Sequence, residues 1–233
     1  EISLGLVGSE MCIRDRLLLV GAVALFGAMN AQTKFGVKAG YTNSQFSSDE
    51  SMEFEDLKMD KKGKSGFFVG GFVEHMLSEK FALQGELTYA ALGGKYEGKF
   101  NDSGYYATLV TDFKVNQIII PISAKYYVIP NLAIYGGPNV GFTVSNEFEA
   151  KFKDSNLPSE ANSYLSEYNS EASKEFDKSL QKTTFGIQVG AEYNVYKGLL
   201  VDARYNIGLT DLDKESESNI KMHYFQIGLG YKF

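Results

Sequence analysis

From Phe225 to Phe233 the odd positions are Phe225, Ile227, Leu229, Tyr231 and Phe233, and the even ones are Gln226, Gly228, Gly230 and Lys232. A period of two is a strand with one apolar and one polar face. The same alternation recurs from Lys34 to about Tyr41, Gly66 to Met76, Phe81 to about Gly94, Phe113 to Val128, Leu132 to about Phe148, Thr183 to Tyr196 and Leu199 to about Leu209. In the strand from Phe113, for example, Ile118, Ile120, Ile122 and Ala124 share one face while Gln117, Ser123 and Lys125 share the other. The pattern predicts eight strands.

The connections are asymmetric. Ser78-Glu79-Lys80, Ile129-Pro130-Asn131 and Lys197-Gly198 are tight, whereas Asn43 to Ser65, Lys95 to Asp112, Glu149 to Lys182 and Thr210 to Asn219 are long. Strict alternation of short and long links, with an even strand number, predicts an all-β fold: an eight-stranded antiparallel up-and-down transmembrane β-barrel with short periplasmic turns and long external loops. A sandwich or soluble barrel gives no reason for that asymmetry. Pro121 and Pro138 fall inside strands, where a closed barrel has no edge to hide a missing N–H, so a bulge or local distortion is expected at each.

Charge decides which face meets lipid. An Arg or Lys facing lipid near the midplane costs roughly 2–4 kcal/mol. Glu74, Glu86, Lys125, Glu192, Asp202 and Arg204 all lie on the polar faces, so a polar-in barrel keeps them out of hydrocarbon. Tyr41, Tyr89, Tyr126, Tyr193, Tyr205 and Tyr231 stand near strand ends on the apolar face, as two interfacial girdles require.

Leu17 to Met29 is a short apolar run preceded by Arg14 and Arg16 and followed by Asn30-Ala31-Gln32. That reads as a signal peptide cut near Ala31, giving residues 1–31 as leader and 32–233 as the barrel; the run is shorter than the roughly 20 residues of a membrane helix. Glu1 to Glu10 fit no leader pattern and are set aside as extraneous. Cys12 precedes the cut, so no disulfide is expected in the mature chain. A net charge of -6 without a basic cluster argues against a nucleic-acid partner.

Four stretches carry a family resemblance: Lys34-Phe-Gly-Val-Lys-Ala-Gly-Tyr41, Gly70-Gly-Phe-Val-Glu74, Phe81-Ala-Leu-Gln-Gly-Glu-Leu-Thr-Tyr89 and Ile120-Pro-Ile-Ser-Ala-Lys-Tyr126. They resemble successive strands of the PorT-like, porin-family outer-membrane β-barrels of Bacteroidetes. The resemblance implies a bacterial outer-membrane location and a porin-like barrel; it carries over no activity.

The six lumen charges read as an interior salt-bridge network filling a barrel too narrow for an aqueous channel. His75 and His223, the two histidines, lie near strand ends, and no glycine loop precedes a helix, so no catalytic, metal or cofactor site is assigned. The acidic and basic residues of the first long loop, Asp49 to Lys64, read as a hydrated surface. Between Asn156 and Lys182, Tyr164, Leu165, Tyr168, Ala172, Phe176 and Leu180 recur at spacings of three and four, which predicts an amphipathic helix. Its stripe must be buried on a loop, the barrel mouth or a partner; Tyr164, Leu165, Tyr168 and Phe176 are the candidate recognition surface.

Two functions fit. One is a non-enzymatic, porin-like barrel with loop-borne specificity. The other is a plugged barrel serving as an adhesion or binding module, or as a subunit of an envelope secretion assembly. The expected partners are the lipid bilayer, the outer-membrane assembly machinery through the strand ending at Phe233, and a protein at the external loops.

Overall fold

The computed structural model describes residues 32–47, 53–54, 57–102, 104–158, 160–213 and 220–233. Residues 1–31, which the sequence reading takes as a leader, and Asp49, Glu50, Glu55 and Asp56 of the first long loop lie outside the described residues. The strands are β1 (Thr33–Ser47), β2 (Glu53–Phe54), β3 (Leu57–Lys62), β4 (Lys64–Met76), β5 (Phe81–Asp102), β6 (Tyr105–Ile129), β7 (Leu132–Lys153), β8 (Thr183–Tyr196), β9 (Leu199–Gly208) and β10 (Lys221–Lys232). One helix, α1 (Glu160–Ser179), lies between β7 and β8.

Eight of these strands close a ring, β1-β10-β9-β8-β7-β6-β5-β4 and back to β1, each antiparallel to its neighbours. Closure runs from Gly36 opposite Lys232 to Ser47 opposite Lys221. Only a closed ring gives every strand two partners where no water can replace one. β2 and β3 arise inside the first long connection. β3 continues the line of β4 and pairs with β5, from Met59 opposite Gly98 to Lys62 opposite Lys95.

The faces fall as the alternation requires. Val37, Leu83, Leu87, Ile122, Val189, Ile227 and Leu229 project outward, and Glu74, Gln84, Lys125, Glu192 and Asp202 are buried inside. The tyrosines form two belts: Tyr126, Tyr193 and Tyr231 near the short turns, Tyr41, Tyr89 and Tyr205 toward the long connections. On β5, Phe81 to Tyr89 spans about 26 Å along the strand, or roughly 20 Å of depth at the usual tilt.

Strand length is unequal around the ring. A transmembrane strand needs about 9–11 residues; β9 has 10, while β5, β6 and β7 have 22, 25 and 22. The excess stands up as a wall, reaching roughly 30 Å beyond the outer belt along Ala90 to Asp102. This corrects the expected loop from Lys95 to Asp112, which is a hairpin paired up to Asp102 opposite Tyr105. Above the membrane the outward places, Lys95, Glu97 and Lys99, are wet, and glycines at inward places such as Gly94 and Gly98 dilute the apolar half of the pattern. Gly93, at the base of the wall, takes φ 148°, a backbone conformation that side chains rarely adopt, and its N–H donates to Ser44 Oγ at 2.9 Å.

No register shift occurs at either proline. The β5–β6 ladder steps from Thr88–Ile119 to Gly85–Ile122, and the β6–β7 ladder from Pro121–Asn139 to Ala124–Gly136, each skipping the pairs beside its proline. The shifts lie elsewhere, at Asn116/Gln117, Tyr127/Ile129 and Asn194/Tyr196. A Cβ on Gly137 would run into the Ile122 carbonyl, so glycine beside Pro138 lets the two backbones stay close.

The long connection after β7 holds the predicted helix. β8 accompanies β7 only as far as Phe142 opposite Thr183, which leaves one edge of β7 without a strand above that point. α1 covers it. The Asn169 amide accepts from Ala150 N at 2.8 Å and donates to Ala150 O at 2.7 Å; Ser173 Oγ donates to Phe148 O at 2.9 Å; Asp177 accepts from the Asn146 amide at 2.8 Å. Four helical residues advance about 6.0 Å and two strand residues about 6.7 Å, so residues 169, 173 and 177 meet 150, 148 and 146 in turn. Side chains thus cap an edge that would otherwise invite pairing.

A lipid-facing charge tests the orientation. Val189→Arg, at mid-strand on the outward face of β8, is expected to lower folding stability in lipid vesicles by about 2–4 kcal/mol in urea titrations. Tyr164→Arg on the exposed face of α1 is expected to stay within about 0.5 kcal/mol of wild type.

Candidate functional site

The short turns surround a bowl of about 960 Å³ that opens toward the periplasmic side, with Lys34, Lys80, Asn131 and Lys197 on its rim and Tyr127 and Lys232 at its floor. Above the floor the lumen is filled by ions in contact. Glu74 receives Lys125 at 2.6 Å, Lys232 at 3.0 Å and the Tyr127 hydroxyl at 2.8 Å. Glu192 contacts Lys125 and Lys232, both at 2.9 Å, and Lys38 at 3.1 Å. Asp202 takes Lys38 at 3.1 Å, the Tyr135 hydroxyl at 2.7 Å and Arg204 Nε at 2.8 Å. Glu86 takes Arg204 Nη1 at 2.8 Å and the Gln84 amide at 2.6 Å. Lys125 donates to Gln84 Oε1 at 2.8 Å, which turns the chain of contacts into a loop.

All six predicted lumen residues, Glu74, Glu86, Lys125, Glu192, Asp202 and Arg204, meet here. Sequence reasoning left out Lys38, Lys232, Gln84, Tyr127 and Tyr135. The signal was available for all of them, since each occupies an inward position of its strand. With Lys38 and Lys232 included, four cations (Lys38, Lys125, Arg204, Lys232) face four carboxylates (Glu74, Glu86, Glu192, Asp202), so the network is neutral. Their side chains are 0–5% exposed. Enclosed charge of one sign would be far more costly than this matched set. Every strand of the ring contributes a polar group: Lys38 from β1, Glu74 from β4, Glu86 from β5, Lys125 from β6, Tyr135 from β7, Glu192 from β8, Asp202 and Arg204 from β9, Lys232 from β10.

Farther out, amides and hydroxyls replace ions. Gln188 donates to Ser123 Oγ at 2.7 Å, and Gln117 donates to Thr143 and Thr184, each at 3.3 Å. The outer mouth is then closed by an apolar cluster in which Phe46, Phe68, Leu92, Val115, Met222 and Tyr224 from the ring meet Leu180 and Leu212. Phe113 sits among Phe46, Tyr96, Phe148 and Phe176, with ring centroids 5.1–5.9 Å apart and edge-to-face. Burial holds the Tyr96 phenol above its usual range. On the wet face of the wall, Lys114 contacts Glu147 at 2.9 Å, which holds its ammonium above the usual range.

The candidate recognition residues separate. Phe176 packs inward on Phe113, and Leu165 is half-buried, whereas Tyr164 and Tyr168 are 75% and 57% exposed. The two histidines lie apart: His75 Nδ1 is 2.8 Å from Thr33 Oγ1 near the periplasmic turns, and His223 stacks on Tyr205 at the outer belt.

Among known proteins, residues 30–214 match the family described as outer membrane protein beta-barrel domain. No curated protein sequence matches the chain. Solved structures similar to it include Ail, the attachment invasion locus protein of Yersinia pestis (15% identity over 87% of this chain and 99% of that one, TM-score 0.44). Neisserial surface protein A is 16% identical over 85% and 97%, with a TM-score of 0.45, and OprG of Pseudomonas aeruginosa 16% identical over 87% and 96%, with a TM-score of 0.40.

Two substitutions test the packing of the site. Arg204→Ala leaves Glu86 and Asp202 short of their shared cation and is expected to cost about 3–5 kcal/mol in urea unfolding from vesicles. Asn169→Ala with Ser173→Ala is expected to accelerate amide hydrogen exchange at Ala150 and Phe148 while leaving exchange in the ring unchanged, each lost bond weakening the docked helix by about 0.5–1.5 kcal/mol.

Proposed function

We propose that this chain, which belongs to the outer membrane protein β-barrel domain family, works as a non-conducting, non-enzymatic anchor in the bacterial outer membrane that presents its wall and helix to a partner outside the cell. The observation that carries this reading is the filled lumen. A conduit needs a continuous wet path, and here a neutral ionic layer, an amide layer and an apolar cap follow one another along the axis of a ring of eight, the number whose interior side chains fill. That favours the plugged binding module over a porin-like role.

Tyr164 and Tyr168 on α1 supply exposed aromatic area, and Tyr105 and Tyr106 at the tip of the β5–β6 hairpin supply more. Asn156 ties the two together, accepting from Tyr106 N at 2.8 Å and donating to Gly104 O at 3.0 Å just before the helix begins. Tyrosine on a rigid support is well suited to protein recognition, because large amphipathic area is offered at small entropic cost. Export through a leader cut near Ala31, and a place among the PorT-like members, belong to the same reading and rest on the sequence motifs.

Planar-bilayer recording of the purified barrel tests it. The expected result is a membrane without discrete conductance steps at neutral pH; regular steps from wild-type protein would return the chain to the porin-like class.

A further inference from the structure

The cap of the outer mouth is not solid. Between α1 and the wall lies an apolar cavity of about 160 Å³, bounded by the rings of Phe46, Tyr96, Phe113 and Phe176 and by the aliphatic side chains of Leu180 and Leu212. Ile220 completes the lining, and the polar residues among its described lining are Tyr96, Ser179 and Asp213. Backbone contacts fix its frame: Gln181 N donates to Leu212 O at 2.7 Å, Leu212 N to Ile220 O at 2.8 Å, and Leu180 bridges Asp213.

The space is about half open toward the outside, so it is a lined pocket rather than an interior void. Water that enters it finds few of the two to four polar partners it needs, because most of the lining is apolar. Cavities of about 150 Å³ with Leu, Ile and Phe linings take up a benzene-sized molecule. Three of the four rings already meet Phe113 edge-to-face, the arrangement that aromatic quadrupoles favour, and their exposed surfaces offer the same contact to one more ring.

We propose that this cavity is a binding site for a small uncharged aromatic molecule of about one ring. It lies on the outer side of the plug, so a ligand enters and leaves from outside without crossing the lumen. Its occupancy bears on the seating of α1, because Phe176 from the last turn of the helix and Leu180 just after it form one wall. The site goes beyond the recognition role above and does not require it.

The test uses the folded barrel in lipid nanodiscs, methyl-labelled at Leu and Ile and titrated with benzene by NMR. Benzene also dissolves in lipid, and the outward methyls of Leu83, Leu87 and Ile122 report that partition. The expected result is saturable shifts at Leu180, Leu212 and Ile220 against a linear response of the outward methyls. Leu212→Phe, which adds a ring to the cavity, is expected to abolish the saturable shifts at Leu180 and Ile220; retention of the heat-modifiable gel shift would verify that the variant is folded. Should Leu212→Phe not fold, Ile220→Phe serves the same purpose from the opposite wall. Cavity methyls that move only linearly, in step with the outward ones, or saturation that persists in a folded filled variant, would overturn the proposal.

Discussion

Inside a bilayer a backbone N–H or C=O has no water to turn to, so each one must find another backbone group or bear several kcal/mol of cost. The pairing of β1 with β10, Gly36 to Ser47 against Lys232 to Lys221, is what meets that demand for the whole ring. Once the ring is closed, side chains on one parity face acyl tails and those on the other are enclosed. The rest of the molecule follows from how each population is accommodated.

Enclosure is the harder problem. Eight strands leave an interior just wide enough for side chains, and the chain fills it with eight charged groups that cancel in number and touch in sequence around the axis. Buried ion pairs are weak evidence for stability, since desolvation offsets much of their attraction. What they provide here is registration. Residues 38, 74, 86, 125, 135, 192, 202, 204 and 232 come from every strand of the ring, and a slip of one residue in any strand would turn its polar group out into lipid.

The second problem is the edge created where β7 outruns β8. In the membrane that edge is paired; above it, α1 takes over by matching its four-residue advance to the two-residue advance of the strand. Asn169 and Ser173 do for Ala150 and Phe148 what a neighbouring strand does elsewhere. The arrangement also sets which aromatic residues of the helix are spent on packing and which are left for contact with other molecules: Phe176 turns into the mouth, followed by Leu180 just past the helix end, while Tyr164 and Tyr168 keep most of their area outside.

By itself the sequence determined the number of ring strands, their faces, the side with short turns and the membership of Glu74, Glu86, Lys125, Glu192, Asp202 and Arg204 in one lumen, because a period of two is a local property and lipid on one side makes it stark. It also determined α1, through the spacing of Tyr164, Tyr168, Phe176 and Leu180. Only the tertiary structure decided that Lys38 and Lys232 complete the charge balance, since neutrality is a property of the closed ring and of no single strand. Tertiary structure likewise decided that Lys95 to Asp112 is a wall: where water bathes one face and glycines line the other, alternation fades, and cross-strand hydrogen bonds hold what side-chain pattern no longer announces. The same holds for the capping of β7 by Asn169 and Ser173, two polar residues whose partners are brought to them by the fold.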